Sequence, residues 1–311
     1  MSEKNRFALI MAGGRGTRFW PRSRKRHAKQ VLSVFGDTSL IRQTFDRVAP
    51  LVPAERTWVL TNGDSLPAIL EQLPEVPAAQ IIAEPAQRNT APCNALAAHI
   101  LCSVDPDAIV GVLPADHVVT DQPAFERVIS AAYQAAEGGD LIVVGIQPRW
   151  ADEGYGYIEL PEAVTAGSLE PVKVRSFREK PARDVAERYV AAGNYFWNSG
   201  MFFWRASSFL EAVRKHDPQI ATIIASLPPI TSDAFPSALA ETYPLCRDIS
   251  VDYAIYERAT NVSGIPAGNF GWNDVGTWHA VWDLLERDAE DNAARGELLS
   301  IASHGNYVDA K

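Results

Sequence analysis

The sequence predicts an α/β fold in which a mostly parallel mixed sheet is flanked by helices. Two observations carry that prediction. Short β-rich runs alternate with helical patterns through the first half, and the connections between them are short, which favours a mostly parallel sheet covered on both faces. The opening run, Phe7 to Ile10, is apolar without alternation and reads as a buried strand.

Taken in order, strands are expected at Phe7–Ile10, Thr57–Leu60, Gln80–Ala83, Ala108–Leu113 and Leu141–Gly145. Helical patterns lie between them at Leu40–Val48, Leu66–Leu73, Ala91–Val104 and Ala124–Ala136. The second half is more mixed. "GYGYIEL" and "VKVRSFREK" read as antiparallel strands, followed by a helix near Val185–Ala192 and an aromatic strand, "YFWNSGMFFW". Helices are expected around Phe209–Lys215, Val251–Arg258 and Trp278–Glu286. One domain over residues 1–287 is expected, with a first part to about 150, a second part over 151–287, and a short C-terminal tail, 288–311, that has too little apolar material for a core.

Composition narrows the function classes. Hydrophobic residues make up 47% of the 311 and charged ones 22%, the balance of an ordinary globular protein. No apolar run approaches a membrane span, and "MSEKNRF" has no secretory apolar region, so no membrane is expected and the expected location is cytoplasmic. Cys93, Cys102 and Cys246 are widely spaced without a CxxC pair, which argues for small buried thiols over disulfides or zinc. The net charge of −9 disfavours nucleic acid, yet Arg15, Arg18, Arg22, Arg24, Lys25, Arg26 and Lys29 crowd one stretch with no acid among them. One basic loop on an acidic protein suits a small polyanionic ligand.

That loop, "MAGGRGTRFWPRSRKRHAKQ", follows the first strand, at the sheet edge where α/β folds bind ligands. It fits neither G-x-x-x-x-G-K-[ST] nor G-x-G-x-x-G. Gly13, Gly14 and Gly16 offer backbone N–H groups to phosphate oxygens, Arg18 a guanidinium fork and Lys29 a point charge. In "VGVLPADHVV", Asp116 stands just past an apolar strand, and "GWNDVGTW" holds Asp274 between two glycines. A lone Asp in a turn serves as a cap or Asx-turn, whereas two carboxylates completed by phosphate oxygens and water are the usual seat of Mg²⁺. His117 reads as a structural or supporting residue, since no H-E-x-x-H or G-x-S-x-G pattern pairs a histidine with a nucleophile. "FREKP" supplies Glu179 and Lys180, which alternation puts on opposite faces unless the chain bends, with Pro181 as the expected bend. Asn198, polar in an aromatic strand, either satisfies backbone or hydrogen-bonds a ligand, and Gly156 lets backbone approach a ligand closely. Asn89 or Thr90 is expected to cap the helix that "EPAQRNTAP" opens.

Six segments in order, "GGRGTRFWPRSR…KQ", "EPAQRNTAPCNALAA", "LPADHVV", "FREKP", "NSGMFFW" and "GWNDVGTW", resemble the sugar-phosphate nucleotidyltransferases, and among them the bacterial mannose-1-phosphate guanylyltransferases. The resemblance implies a Rossmann-like sheet of the nucleotide-diphospho-sugar transferase type. It also implies guanylyl transfer from GTP to mannose 1-phosphate, giving GDP-mannose and pyrophosphate with Mg²⁺ or another divalent cation. It assigns Arg18, Lys29 and Lys180 to catalysis, and Ala12, Gly13, Gly14, Gly16, Thr17, Arg18, Asn89, Thr90 and Asp116 to the nucleotide. Gly156, Glu179 and Asn198 go to the sugar, and Asp116 and Asp274 to the metal. Thymidylyl or uridylyl transfer, and more distantly a sugar-nucleotide sensor, stay open, as does a homodimer. Two departures stand out. Ala28 replaces the proline more common before the loop lysine, and the resemblance implies that the tail is where the β-helix of longer members begins, whether it ends naturally or truncated at Lys311, with no isomerase domain expected after it.

Overall fold

Apolar runs become strands here because helices bury both faces of the sheet. The computed structural model describes residues 5–14, 16–24 and 27–310. Strand β1 (Arg6–Ala12) leads to helix α1 (Leu40–Val48), β2 (Thr57–Asn62), α2 (Leu66–Gln72) and β3 (Ile81–Glu84). Then come α3 (Thr90–Val104), β4 (Ile109–Pro114), α4 (Gln122–Ala136) and β5 (Leu141–Ile146). β1 pairs in parallel with β2 and β4, and β2 with β3. Side chains cap the helices where polar residues precede the apolar pattern: Ser39 Oγ accepts from Arg42 N–H at 3.3 Å, and Asp121 Oδ1 from Ala124 N–H at 2.9 Å. Every helix and strand expected in this half is present.

The second half joins the same sheet. It adds β6 (Tyr157–Glu159), β7 (Val172–Lys173), β8 (Ser176–Arg178), α5 (Arg183–Ala192) and β9 (Tyr195–Arg205). After these come α6 (Ala206–His216), α7 (Pro218–Ala225), α8 (Phe235–Thr242), β10 (Val262–Ala267) and α9 (Trp278–Leu284). The ten-stranded order is β3-β2-β1-β4-β9-β5-β10-β7, with β6 and β8 carried on β9. β9 runs antiparallel between β4 and β5, and its first residues also pair with β6. An aromatic strand from the second half thus lies at the centre of a sheet started by the first. Apolar clusters fill both faces, one under α3 and α6 and one under α4. The tail forms a separate parallel pair, β11 (Ala293–Arg295) and β12 (Tyr307–Asp309).

Three expectations are corrected. "VKVRSFREK" is two strands, because the chain changes partner: Val174 N–H donates to Val262 O, and Arg175 N–H to Glu159 O. Residues Asp252–Tyr256 form a π-turn where an α-helix was expected. β10, α7 and α8 were not expected at all. Gly264 and Pro266 hide β10 by breaking its pattern. Pro266 is tolerated because its polar edge faces past the short β7, where its carbonyl accepts from Gly167 N–H at 2.8 Å. Cys93, Cys102 and Cys246 are free thiols, and among the described residues no helix is long and apolar enough to cross a membrane.

Gly111 sits at a tight point of the central sheet. A Cβ there would lie 2.5 Å from both Phe203 Cε1 and the Tyr133 hydroxyl, which is held by Phe7 O at 2.8 Å. Gly111→Ala is expected to lower stability by about 2 kcal/mol through overpacking. Urea denaturation should show a lower midpoint at unchanged slope; an unchanged midpoint would mean that α4 and β9 separate at no cost.

Candidate active site

The loop after β1 is held from outside. Ala12 O accepts from Thr61 Oγ1 at 3.0 Å and from Gln30 Nε2 at 2.6 Å, Gly13 O from Asn62 Nδ2 at 3.1 Å, and Gly14 O from Gln30 Nε2 at 3.0 Å. With these carbonyls occupied, N–H is what the loop retains for an anion. Gly16 is left-handed (φ 57°), and a Cβ on it would come within 2.4 Å of Lys29 Cβ, so only glycine lets the returning chain pack there. Of the seven basic residues around the loop, Arg15, Lys25 and Arg26 lie outside the described residues.

Lys29 is 5% exposed and closes the site. Its Nζ donates to Asp116 Oδ2 at 2.8 Å and to the Asp274 carbonyl at 2.7 Å. The two aspartates meet because Val118 and Asn273 exchange backbone hydrogen bonds at 2.9 and 3.0 Å, joining the turn after β4 to the "GWNDVG" turn. Tyr155 OH donates to Asp274 Oδ1 at 2.8 Å, and burial with the Asp274 charge raises the phenol's pKa, so it remains a donor. Burial opposes ionisation of Asp116, but Lys29, His117 and Arg18 outweigh it and hold the carboxyl below its ordinary range. Arg18 Nη1 lies 3.4 Å from where a Cβ on Gly276 would sit, at the same turn. His117 Nδ1 accepts from Trp272 Nε1 at 3.2 Å, and burial lowers its pKa despite the nearby aspartates, which keeps the imidazole neutral. Its Nε2 is 3.9 Å from Asp116 Oδ1, beyond hydrogen-bond reach.

A cavity of about 600 Å³ opens beside this centre. On one side its wall comprises Gly13, Gly14, Asn62, Glu84 and the segment 86–90. Asn89 caps α3, its Oδ1 accepting from Thr90 N–H at 2.9 Å, while Thr90 Oγ1 accepts from Val251 N–H at 2.8 Å. Both side chains therefore have structural bonds of their own. Glu84, at the end of β3, is bonded by the Tyr243 hydroxyl on Oε1. Its Oε2 lies 2.8 Å from where a Cβ on Gly13 would be, so glycine at 13 makes room for it. Burial pushes the Glu84 carboxyl up to about 7.

The other side is lined by Gly154, Tyr155, Gly156, Glu179, Asn198 and Asp252, among others. A Cβ on Gly156 would meet Glu179 Oε2 at 2.4 Å, so this glycine admits the carboxylate. The bend in "FREKP" sits at Lys180 itself, whose φ of 48° is left-handed, ahead of the expected Pro181. It brings Lys180 Nζ to 3.0 Å from Glu179 Oε1; Lys180 does not itself line the cavity. Asn198 Nδ2 donates to Asp252 Oδ1 at 2.9 Å, and its Oδ1 accepts from Gly200 N–H at 3.0 Å. Burial, then the Glu179 charge, push the Asp252 carboxyl above its ordinary range.

Of the residues singled out in the sequence, Gly13, Gly14, Asn89, Thr90, Asp116, Gly156, Glu179, Asn198 and Asp274 line one cavity. Ala12, Gly16, Thr17, Arg18, Lys29 and Lys180 do not line it; Gly16, Arg18, Lys29 and Lys180 adjoin it through the contacts above. Sequence reasoning missed Gln30, Glu84 and Asp252. The rule that found Asp116, a carboxylate just where a strand ends, also applies to Glu84. Asp252 carried no such signal, sitting in what read as an ordinary helix.

Comparison with known proteins agrees with this geometry. The model of the nucleotidyl transferase family matches residues 7–291. The alginate biosynthesis protein AlgA of Pseudomonas aeruginosa is 39% identical over 310 residues, covering 96% of this chain and 63% of its own length. A mannose-1-phosphate guanylyltransferase of Salmonella muenchen is also 39% identical over 310 residues, covering 96% and 64% respectively. The chain therefore spans less than two thirds of these relatives. A crystal structure described as mannose-1-phosphate geranyltransferase from Thermus thermophilus matches with TM-score 0.86 at 31% identity, covering 98% of this chain and 87% of that one. With the family model spanning nearly the whole ten-stranded sheet and the cavity built at its strand ends, the chain belongs to the nucleotidyl transferase family.

Proposed function

We propose that this protein transfers a guanylyl group from GTP to mannose 1-phosphate, releasing pyrophosphate and forming GDP-mannose. The observation that carries the proposal is the position of Lys29, Asp116 and Asp274 beside one cavity, between a wall suited to a nucleobase and a wall suited to a sugar. An oxygen of the sugar phosphate attacks the α-phosphorus of GTP in line. The new P–O bond forms as the bond to the β-phosphate bridging oxygen breaks, and that electron pair leaves with pyrophosphate. The sugar phosphate is already largely a dianion near neutral pH, so a neutral His117 is no handicap. Lys29 and Arg18 stabilise charge on the transferring phosphate and Lys180 meets the sugar phosphate.

The donor set fits a divalent cation such as Mg²⁺. Hydrogen bonds within the protein use Asp116 Oδ2 and Asp274 Oδ1 and leave the other oxygen of each carboxylate. Among the described residues no three His, Cys, Asp or Glu side chains gather as a metal cage, which suits an ion that takes its remaining ligands from phosphate and water. When bound there, the cation supplies neutralisation of phosphate charge. Asp116→Asn should cut turnover by roughly 10²-fold or more while the protein stays folded, since Asn still accepts from Lys29. Near-normal turnover with an unchanged circular dichroism spectrum would remove Asp116 from the mechanism.

Glu84 supplies the base selectivity. Guanine alone among the common bases presents two adjacent donors, N1–H and the 2-amino group, and a carboxylate accepts both. Pyrophosphate release with mannose 1-phosphate should therefore occur with GTP and not with ATP, UTP or dTTP. Inosine triphosphate, lacking the 2-amino group, should be poorer by about tenfold. Release with UTP or dTTP in place of GTP would keep the chemistry and overturn the base; silence with all of them would favour a sensor.

The same contact has a pH signature. Glu84 titrates near 7 in the free protein, whereas the Tyr243 phenol and Cys93 thiol facing it are pushed upward and stay neutral. Guanine needs the ionised form, so affinity is full above that value and falls below it, by roughly tenfold between pH 8 and pH 6. Calorimetric titration with GDP checks this, with Glu84→Gln as the comparison: its affinity should be weaker and free of this component. A wild-type profile that parallels the variant's would exclude Glu84 as the reader of the base.

A further inference from the structure

We propose that Asp252 is a sugar-binding carboxylate, which accepts a hydroxyl of the hexose beside Glu179, and that Asn198 acts chiefly by holding Asp252 in place. The inference rests on the sugar 1-phosphate reading above and specifies how the sugar is held.

Three features of the fold aim Asp252 at the cavity. It opens the π-turn Asp252–Tyr256, a widened turn of the kind that displaces side chains from a regular helical face. The segment before it is tied to the start of α3, through Val251 N–H to Thr90 Oγ1 at 2.8 Å and Ala91 N–H to Ile249 O at 3.1 Å. Asn198 then fixes the carboxylate. Its amide oxygen is committed to Gly200 N–H at 3.0 Å, which turns the amide nitrogen towards Asp252 Oδ1 at 2.9 Å. Gly200 holds a left-handed φ of 71° to make that bond.

A second acid shares the wall. Glu179 is anchored through its backbone N–H to Glu257 Oε1 at 3.0 Å, and Lys180 Nζ lies 3.0 Å from its Oε1. Its Oε2 occupies the space left by Gly156. Glu179 and Asp252 line the same cavity and the charge of one bears on the other, so the two carboxylates repel and hydrogen-bond donors relieve that cost. A hexose offers such donors as a neutral array of adjacent hydroxyls. A cation is the poorer occupant, because the Lys180 ammonium already stands beside Glu179.

The test is a cycle between enzyme and substrate. Pyrophosphate release is measured for wild type, Asp252→Asn and Asp252→Ala with GTP and mannose 1-phosphate, and with the 2-, 3-, 4- and 6-deoxy analogues. Asp252→Ala should raise KM for mannose 1-phosphate by about tenfold or more, with Asp252→Asn milder and KM for GTP within about twofold of wild type. One deoxy analogue should lose about tenfold with wild type and nothing further with Asp252→Ala, because the contact is already gone. Losses that multiply for all four analogues would overturn the assignment, as would an equal rise in KM for GTP, which would make Asp252 scaffold. Absence of wild-type turnover on mannose 1-phosphate would instead overturn the substrate reading, and this assignment with it.

Discussion

The candidate site depends on keeping one ammonium group charged and buried. Lys29 has almost no contact with solvent, and a charge in that position persists only when paired and fully hydrogen-bonded. Its partners come from distant parts of the chain: the Asp116 carboxylate past β4, and the Asp274 carbonyl in a turn 245 residues away. The same ammonium lies 5.4 Å over the Phe19 ring, which stabilises it further. Satisfying Lys29 therefore draws three loops to one point. On the proposed reading the phosphates of the nucleotide carry their charge at that point, so the constraint that organises the loops would also set the chemistry.

Other parts of the fold make this convergence rigid. Beneath the loops, Phe19, Val34, Leu40, Val118, Val275 and Val281 form a small apolar cluster of their own. Val275 adopts a left-handed φ of 48°, uncommon for a β-branched residue, just after Asp274, with its N–H held by Asn273 Oδ1 at 2.7 Å. The tail supports the loops from behind. Arg295 donates to Gly36 O at 3.1 Å, Arg22 pairs with Asp309, and Tyr307 packs on Trp278, which in turn contacts Phe19. The tail has little core of its own, yet it braces the segment that carries Arg18 and Lys29.

Much of this was legible in the sequence, for physical reasons that also mark its limits. Buried parallel strands are apolar throughout, so β1, β2, β4 and β5 could be read from local pattern alone. β10 could not: Pro266 and Gly264 deny it a strand pattern, and only the position of its neighbours makes them tolerable. Asp116 and Asp274 stood out as carboxylates in turns at rigid edges, but nothing local says that Val118 and Asn273 pair across 155 residues to bring them together. Lys180 was expected near Glu179 only if the chain bent, and it does, through a backbone angle that no residue pattern announces. Asp252 was hidden because a π-turn and an α-helix share the same apolar spacing over so few residues.

The charges around the cavity explain why so acidic a wall suits an anionic substrate. Glu84, Asp116, Glu179, Asp248, Asp252 and Asp274 all line it. Left unpaired, such a group would repel a triphosphate. On the proposed reading five of these acids have separate roles. Glu84 faces base donors, Asp116 and Asp274 a cation, and Glu179 and Asp252 sugar hydroxyls. Lys29 and Arg18 remain for the phosphates. Each end of the cavity is then a buried acceptor waiting for a specific donor. A ligand that lacks the donor leaves a carboxylate desolvated and unsatisfied, a penalty larger than the bond itself is worth. Selectivity at both ends thus comes from the cost of an empty contact, and the burial that makes such a contact costly also raises the Glu84 and Asp252 carboxyls above their ordinary range in the free protein.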